Sequence, residues 1–269
     1  MRDSIVREKY DRAFIDFFKS AETKRRWNVF QDVPWDDLDP SKATTQTISG
    51  VEHTITEELY LPDYTSKVMP LLRGLFGQAW FWANWAYEES KHSLALREYL
   101  IQSGHRSAGS MNAFYEALAT LEWEVPFKTV RQMSCYGALQ EAVTYLGYRT
   151  LRDRALTAND KVLGTIFDYI GRDEAAHAGF YRTLLAIDME DDRDGTIADL
   201  AHVIPRFKMP GDGLVPSYNQ KLVDAGLAHE TSWYVERVVM PTLKAVGTTW
   251  EELRGRSRKR APGRDASPA

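Results

Sequence analysis

The chain has 269 residues, 43% hydrophobic and 27% charged, with a net charge of −4. That length suits one large domain with a packed core, and 12% aromatics argue against a disordered chain. Cys135 is the single cysteine, which excludes a disulfide framework and any cysteine-rich zinc or iron–sulfur site; it reads as a small buried hydrophobe. The greasiest stretch, Leu71 to Tyr87, is interrupted by Arg73, Gln78 and Asn84 and is too short and polar for a membrane span. Met1-Arg2-Asp3-Ser4 does not open a signal peptide, so a cytoplasmic location is expected. Charge is uneven: residues 254–269 carry +5 against a chain total of −4, leaving −9 on the rest.

Helical periodicity dominates and alternating strand patterns are nearly absent. Residues 4–20 set Ile5, Tyr10, Phe14, Phe17 and Phe18 at helical spacing. A turn-rich stretch from Trp27 to Pro40 follows. A long helix is expected to start near Ser41 or Thr44 and run past Glu57, with Pro62 and Pro70 as kinks or breaks. Further helices are expected over about 77–103, 124–156 and 159–189, and shorter ones over 195–208, 217–226 and 227–244. No glycine-rich phosphate loop and no Gly-x-Ser-x-Gly elbow occurs. The expected architecture is all-α, one helical domain over 1–253 followed by a basic, disordered tail over 254–269.

Two Glu-x-x-His units stand out, Glu89-Ser-Lys-His92 and Glu174-Ala-Ala-His177. Residues three apart on a helix share a face, so each unit aims a carboxylate and an imidazole at one point. Chance gives about 0.4 such units in a chain of this composition. A bundle holding two metal ions needs two further carboxylates from its other core helices, to bridge and to balance charge. The Thr56-Glu57-Glu58 step and Glu141 lie in the right places. Glu141 sits among Ala138, Leu139, Ala142 and Val143, where a carboxylate is costly to bury unless paired or metal-bound. Four Glu and two His make a hard-oxygen and imidazole set that suits iron or manganese.

The order Glu57, Glu89-x-x-His92, Glu141, Glu174-x-x-His177 resembles the ferritin-like di-iron family, and more narrowly the soluble acyl-[acyl carrier protein] desaturases of short bacterial type. Flanking residues carry the narrowing. Thr56-Glu57-Glu58 followed by Leu61-Pro62-Asp63-Tyr64 resembles that family's Thr-Glu-Glu-x-Leu-Pro-x-Tyr signature. Trp85-Ala-Tyr-Glu88-Glu89-Ser-Lys-His92 is similar to its Trp-x-x-Glu-Glu-x-x-His, Gln140-Glu141-Ala-Val-Thr144 to its Gln-Glu-x-x-Thr, and Asp173-Glu174-Ala-Ala-His177 to its Asp-Glu-x-x-His. The similarity runs from about Trp27 to Pro210.

The resemblance implies a ferritin-like four-helix di-metal bundle with additional flanking helices. It implies two Fe ions per chain, with Mn as a possible substitute, and O₂ as co-substrate. Glu57, Glu89 and His92 are then expected to serve one ion and Glu141, Glu174 and His177 the other, with Glu89 and Glu174 as bridges. Glu58 and Glu88 are not expected to be ligands, because neighbouring helical residues point about 100° apart. Trp27, His92 and Asp173 match a trio implicated in electron transfer, and Thr144, three residues after Glu141, is expected to be close enough to offer a hydroxyl to a metal-bound oxygen species. The implied activity is introduction of a double bond into an acyl chain on acyl carrier protein, with electrons from ferredoxin, by a homodimer; no nucleic-acid partner is expected. Ala176 stands where the family usually carries an Arg before the histidine, which leaves room for a related hydroxylase or N-oxygenase. A ferritin-like metal-binding protein without catalysis is the third reading. His53, one turn before Glu57, reads as a structural histidine, and Asp199-Leu-Ala-His202 as a coincidence of spacing with no partner unit.

Overall fold

Val6, Tyr10 and Phe14 recur every four residues and turn one stripe of the first helix, α1 (Ser4–Ser20), into the protein. In this computed structural model, which describes residues 4–260, the helix continues as one wide π-type turn over Ala21–Arg25. Ile5 and Phe18, expected on the same stripe, lie at its edge and stay 61% and 42% exposed.

Several of the next helices begin where a side chain or a proline answers the first free N–H groups. Thr44 and Thr47 form a reciprocal capping box for α2 (Thr45–Glu58). Pro62 stands in the first turn of α3 (Leu61–Leu72), where its missing N–H costs nothing, and Pro70 lies within the same helix. Helix α4 (Phe76–Gln102) approaches α1 so closely that a Cβ on Gly77 would lie 2.5 Å from the Tyr10 carbonyl oxygen. Helix α5 (Ala108–Leu118), capped by a Ser107–Ser110 box, was not expected from the sequence pattern.

The expected helix over 124–156 begins later, as α6 (Val130–Thr157), with Thr129 accepting from the Gln132 N–H. Pro126 explains the delay, since it lacks an N–H and pushes the residue before it out of helical conformation. Asp160 caps α7 (Lys161–Asp191), which folds back antiparallel along α6. A Cβ on Gly137 of α6 would lie 2.6 Å from the Tyr181 ring of α7, so only glycine permits this approach.

Shorter helices follow: α8 (Arg193–Val203), α9 (Tyr218–Asp224), α10 (Thr231–Tyr234) and α11 (Met240–Ala245), with a π-type turn over Val235–Val239. The last, α12 (Trp250–Arg260), runs into the stretch where a disordered tail was expected. Thr249 accepts from the Glu252 N–H at its start, and Arg193 pairs with Glu252 at 2.8 Å. Residues 261–269 of that expected tail lie outside the described residues. No strand occurs among the described residues, and no helix is long and apolar enough to cross a membrane. Helices α2, α4, α6 and α7 enclose one buried polar centre; α8 packs on α6 and α7, α9 on α2, and α12 on α8.

Candidate metal centre

Six ionisable side chains meet inside the bundle: Glu58 from α2, Glu89 and His92 from α4, Glu141 from α6, and Glu174 and His177 from α7. They form two overlapping groups, one of Glu58, Glu89, His92 and Glu174, the other of Glu89, Glu141, Glu174 and His177, each with ligand atoms within 4.8 Å of one another. Glu89 and Glu174 belong to both. One Glu89 oxygen lies 3.2 Å from His92 Nδ1 and the other 3.2 Å from His177 Nδ1. Glu174 divides its oxygens in the same way, at 3.2 and 3.6 Å. Each of these two carboxylates therefore faces both histidines, the position a carboxylate shared by two ions would need.

Glu89 Oε1, Glu141 Oε2, both Glu174 oxygens and His177 Nδ1 are buried without an aligned hydrogen-bond partner. Short approaches such as the 3.2 Å between Glu89 and His177 Nδ1 lack the angle of a hydrogen bond. Buried carboxylates left this way are strongly unfavourable unless a cation completes them. The donor set fits two hard or borderline metal ions such as iron. Without metal, burial and the neighbouring carboxylates push Glu58 and Glu141 well above the ordinary carboxylate pKa. Burial opposes the charged form of Glu89 too, but His92 and His177 outweigh it and lower its pKa. Burial lowers the pKa of both histidines, and the surrounding carboxylates overcome it and raise them well above the imidazole range.

Behind the ligand atoms the two histidines are braced crosswise. His92 Nε2 lies 3.2 Å from Asp173, on the helix that carries the other histidine. His177 Nε2 lies 2.7 Å from Glu88, on the helix that carries His92. Outer carboxylates of this kind would set the tautomer and leave Nδ1 for a metal held in the cluster. Arg25 pairs with both acids, with Asp173 and at 3.1 Å with Glu88. Trp27 Nε1 donates to Asp173 at 2.8 Å, and its ring lies nearly parallel to those of Tyr169 and His92, with centroids 5.1 and 6.5 Å away. Tyr148 donates to Glu58 at 2.7 Å and Trp85 to Glu141 at 3.0 Å.

A family model described as fatty acid desaturase matches residues 41–253. The chain belongs to that family. It is 26% identical over 247 residues to Mycobacterium tuberculosis DesA1, assigned by name to the acyl-[acyl-carrier-protein] desaturases, covering 81% of this chain and 70% of DesA1. It is also 26% identical over 171 residues to Arabidopsis thaliana chloroplastic stearoyl-[acyl-carrier-protein] 9-desaturase 4, spanning 62% of this chain but 42% of the plant protein. The X-ray structure of M. tuberculosis DesA2 superposes with a TM-score of 0.66 at 21% identity, covering 94% of this chain and 99% of that one. The fold is thus the helical one of the desaturases.

Within this desaturase frame five of the six residues expected as ligands converge, and one does not. Glu57 lies outside the cluster, its Oε1 accepting from the Tyr218 hydroxyl at 2.7 Å, and Glu58 takes the place inside. The expectation that excluded Glu58 is corrected: the 100° between neighbours does separate the two, but in the opposite sense. The spacing to Leu61-Pro62 carries the signal. Two residues, Leu59 and Tyr60, stand where the family signature has one, so the position three before the leucine is Glu58. Thr144 lies one turn from Glu141, its hydroxyl donating to the Gln140 carbonyl at 3.0 Å, in the wall of a cavity of about 830 Å³. Glu88 was set aside as a non-ligand, and its bracing role went unread; an acid directly before each Glu-x-x-His unit was the available signal. Arg25 and Tyr148 had no local signal, because their partners lie 148 and 90 residues away.

Proposed function

We propose that this chain is an O₂-dependent di-iron oxidase that introduces a double bond into an acyl chain presented on acyl carrier protein, with electrons from a ferredoxin-type donor. The observation that carries the proposal is the buried four-carboxylate, two-histidine cluster with unpartnered oxygens, placed beside an 830 Å³ cavity. The relatives named as acyl-carrier desaturases support the substrate class. Glu58, Glu89, His92, Glu141, Glu174 and His177 are proposed to hold two ions, which supply the oxidising power that an unactivated C–H bond requires. The balance closes with two electrons from the chain, two from the donor, and O₂ reduced to two waters with four protons.

The protein's own part is positioning and exclusion. Val143, Thr144 and Gly147 of α6 face the cavity, as does Tyr148, whose hydroxyl bonds Glu58, so a chain lying there is proposed to reach the cluster past Tyr148. Electrons are proposed to enter through Trp27, Asp173 and His92, a contiguous set from the segment after the first helix to a proposed ligand. Tyr169 extends the set outward, and a cleft lined by Lys24, Arg25, Arg149, Arg152 and Arg172 opens beside it. That basic cleft suits an acidic donor on an otherwise acidic body. Phe76, Trp80 and Tyr87 of α4 stay 52–54% exposed and support a homodimer through this face.

Mass spectrometry of acyl-carrier substrates after reaction with O₂ and a reductant tests the proposal. Loss of about 2 Da from the chain is the expected result, by removal of two hydrogens. Gain of about 16 Da assigns a hydroxylase or N-oxygenase instead. Unchanged substrate with tightly held iron leaves a metal-binding protein without this activity.

A further inference from the structure

The cavity beside the metal cluster is not an even apolar tube. Much of its wall is hydrocarbon, from Val143, Ile204, Phe207, Leu222 and Trp233, as an alkyl chain requires. Lys208, Asp212, His229, Glu230 and Arg254 also line it, and Glu57 with Tyr218 breaks the hydrocarbon wall at the end of α2. Glu57 is the last side chain of α2 before the metal-facing Glu58 and points into the cavity, where one oxygen accepts from the buried Tyr218 hydroxyl at 2.7 Å. Gly211 packs over the pair: a Cβ there would lie 2.6 Å from the Tyr218 ring and 3.3 Å from Glu57 Oε1. His53 lies against the other side of the Tyr218 ring, with centroids 5.2 Å apart. No Lys or Arg forms an ion pair with Glu57 among the described residues, and the Tyr218 hydroxyl is the one side-chain donor it meets there. The carboxylate keeps acceptor capacity directed at whatever fills the cavity.

A plain alkyl chain drawn past this point strips water from a carboxylate and returns no hydrogen bond. A chain bearing a donor does return one, and sites built to bond a polar group discriminate strongly against analogues that lack it. We infer that the cavity takes a functionalised chain, carrying a hydroxyl or a protonated amine on the segment that passes Glu57, and that Glu57, held by Tyr218, is the residue that selects it. This deepens the desaturase proposal and rests on reading the cavity as the substrate site.

The test uses the full-length, iron-loaded protein and matched pairs of medium-chain acyl thioesters of N-acetylcysteamine. One member of each pair is unsubstituted, the other carries a hydroxyl or an amine at a position stepped along the chain. Calorimetry is expected to show at least about tenfold tighter binding of the substituted member at one position, the scale of a single charge-assisted hydrogen bond. Glu57→Leu is expected to remove or invert that preference while iron content stays at the wild-type level. Glu57→Gln, which still accepts, is expected to keep a hydroxyl preference and lose the amine preference. Equal binding of both members, no binding of either, or an unchanged ratio in Glu57→Leu overturns the inference, as does equal weakening of both members in that variant. Dehydrogenation of carrier-bound chains is scored separately. Selective binding without dehydrogenation upholds the inference and removes the desaturase proposal; dehydrogenation of plain chains without selectivity does the reverse.

Discussion

The two halves of the candidate metal centre use the same parts on different scaffolds. In one, Glu141 lies in mid-helix on the 28-residue α6, fixed by turns on both sides and held by Trp85. In the other, Glu58 is the final residue of the 14-residue α2, held by Tyr148 from α6. A mid-helix carboxylate has its direction set by the helix, so the apolar neighbours of Glu141 are enough to place it. A carboxylate at a helix end takes its direction from how the chain leaves the helix, here through Leu59 and Tyr60 into the proline-started α3. One half is set by its helix, the other by a junction.

The largest effects test what the halves share. Glu174→Ala, and equally Glu89→Ala, is expected to abolish stable binding of both ions, because each carboxylate faces both histidines. Metal analysis after gel filtration that still finds two irons per chain breaks the bridging assignment. Next comes the junction itself. Glu58→Ala is expected to lose one of the two ions and Glu57→Ala to lose neither; the reverse pattern returns Glu57 to the site and removes the contrast between the halves.

A smaller effect concerns the braces. Asp173→Asn and Glu88→Gln are each expected to weaken metal affinity by about 10–100-fold without unfolding the protein. Competitive chelator titration measures this, and an unchanged affinity in both variants shows that the crossed pairs do not orient the ligands.

The smallest is a dependence on pH. In the metal-free protein the imidazoles of His92 and His177 hold protons above their ordinary range, and Glu58 and Glu141 do so above theirs. Protons and metal compete for the same atoms, so affinity should rise with pH and loading should release protons. The raised imidazole pKa values stabilise the metal-free fold below the ordinary imidazole pKa, and that contribution is lost as pH rises through the raised values. The melting temperature of the metal-free protein is therefore expected to fall as pH rises above the ordinary imidazole range. The metal-loaded protein should show no such fall, and parallel curves for the two forms contradict the assignment.

The long helices and both Glu-x-x-His units were legible because each rests on local periodicity, and so was Glu141 in its apolar surroundings. What escaped depended on junctions or on distance. The start of α6 turned on Pro126, and the choice between Glu57 and Glu58 on one extra residue before Leu61. Helix α5 announced itself only by a serine capping box. Arg25 reaches its acids from an irregular turn at the other end of the chain, and no window of neighbouring residues contains that contact.

The crossed bracing has a consequence for how the centre fills. Each imidazole is steered by an acid rooted on its counterpart's helix, and one guanidinium from the end of the first helix clasps both acids. An ion seated against either imidazole would restrain the acid behind it and, through Arg25, the acid behind the other, which should favour the second ion. Half-filled molecules should be scarce across a titration, with protein passing from empty to doubly filled in one cooperative step. Arg25 makes the amino-terminal helix a participant in that step, so how firmly α1 is docked should report how full the interior is.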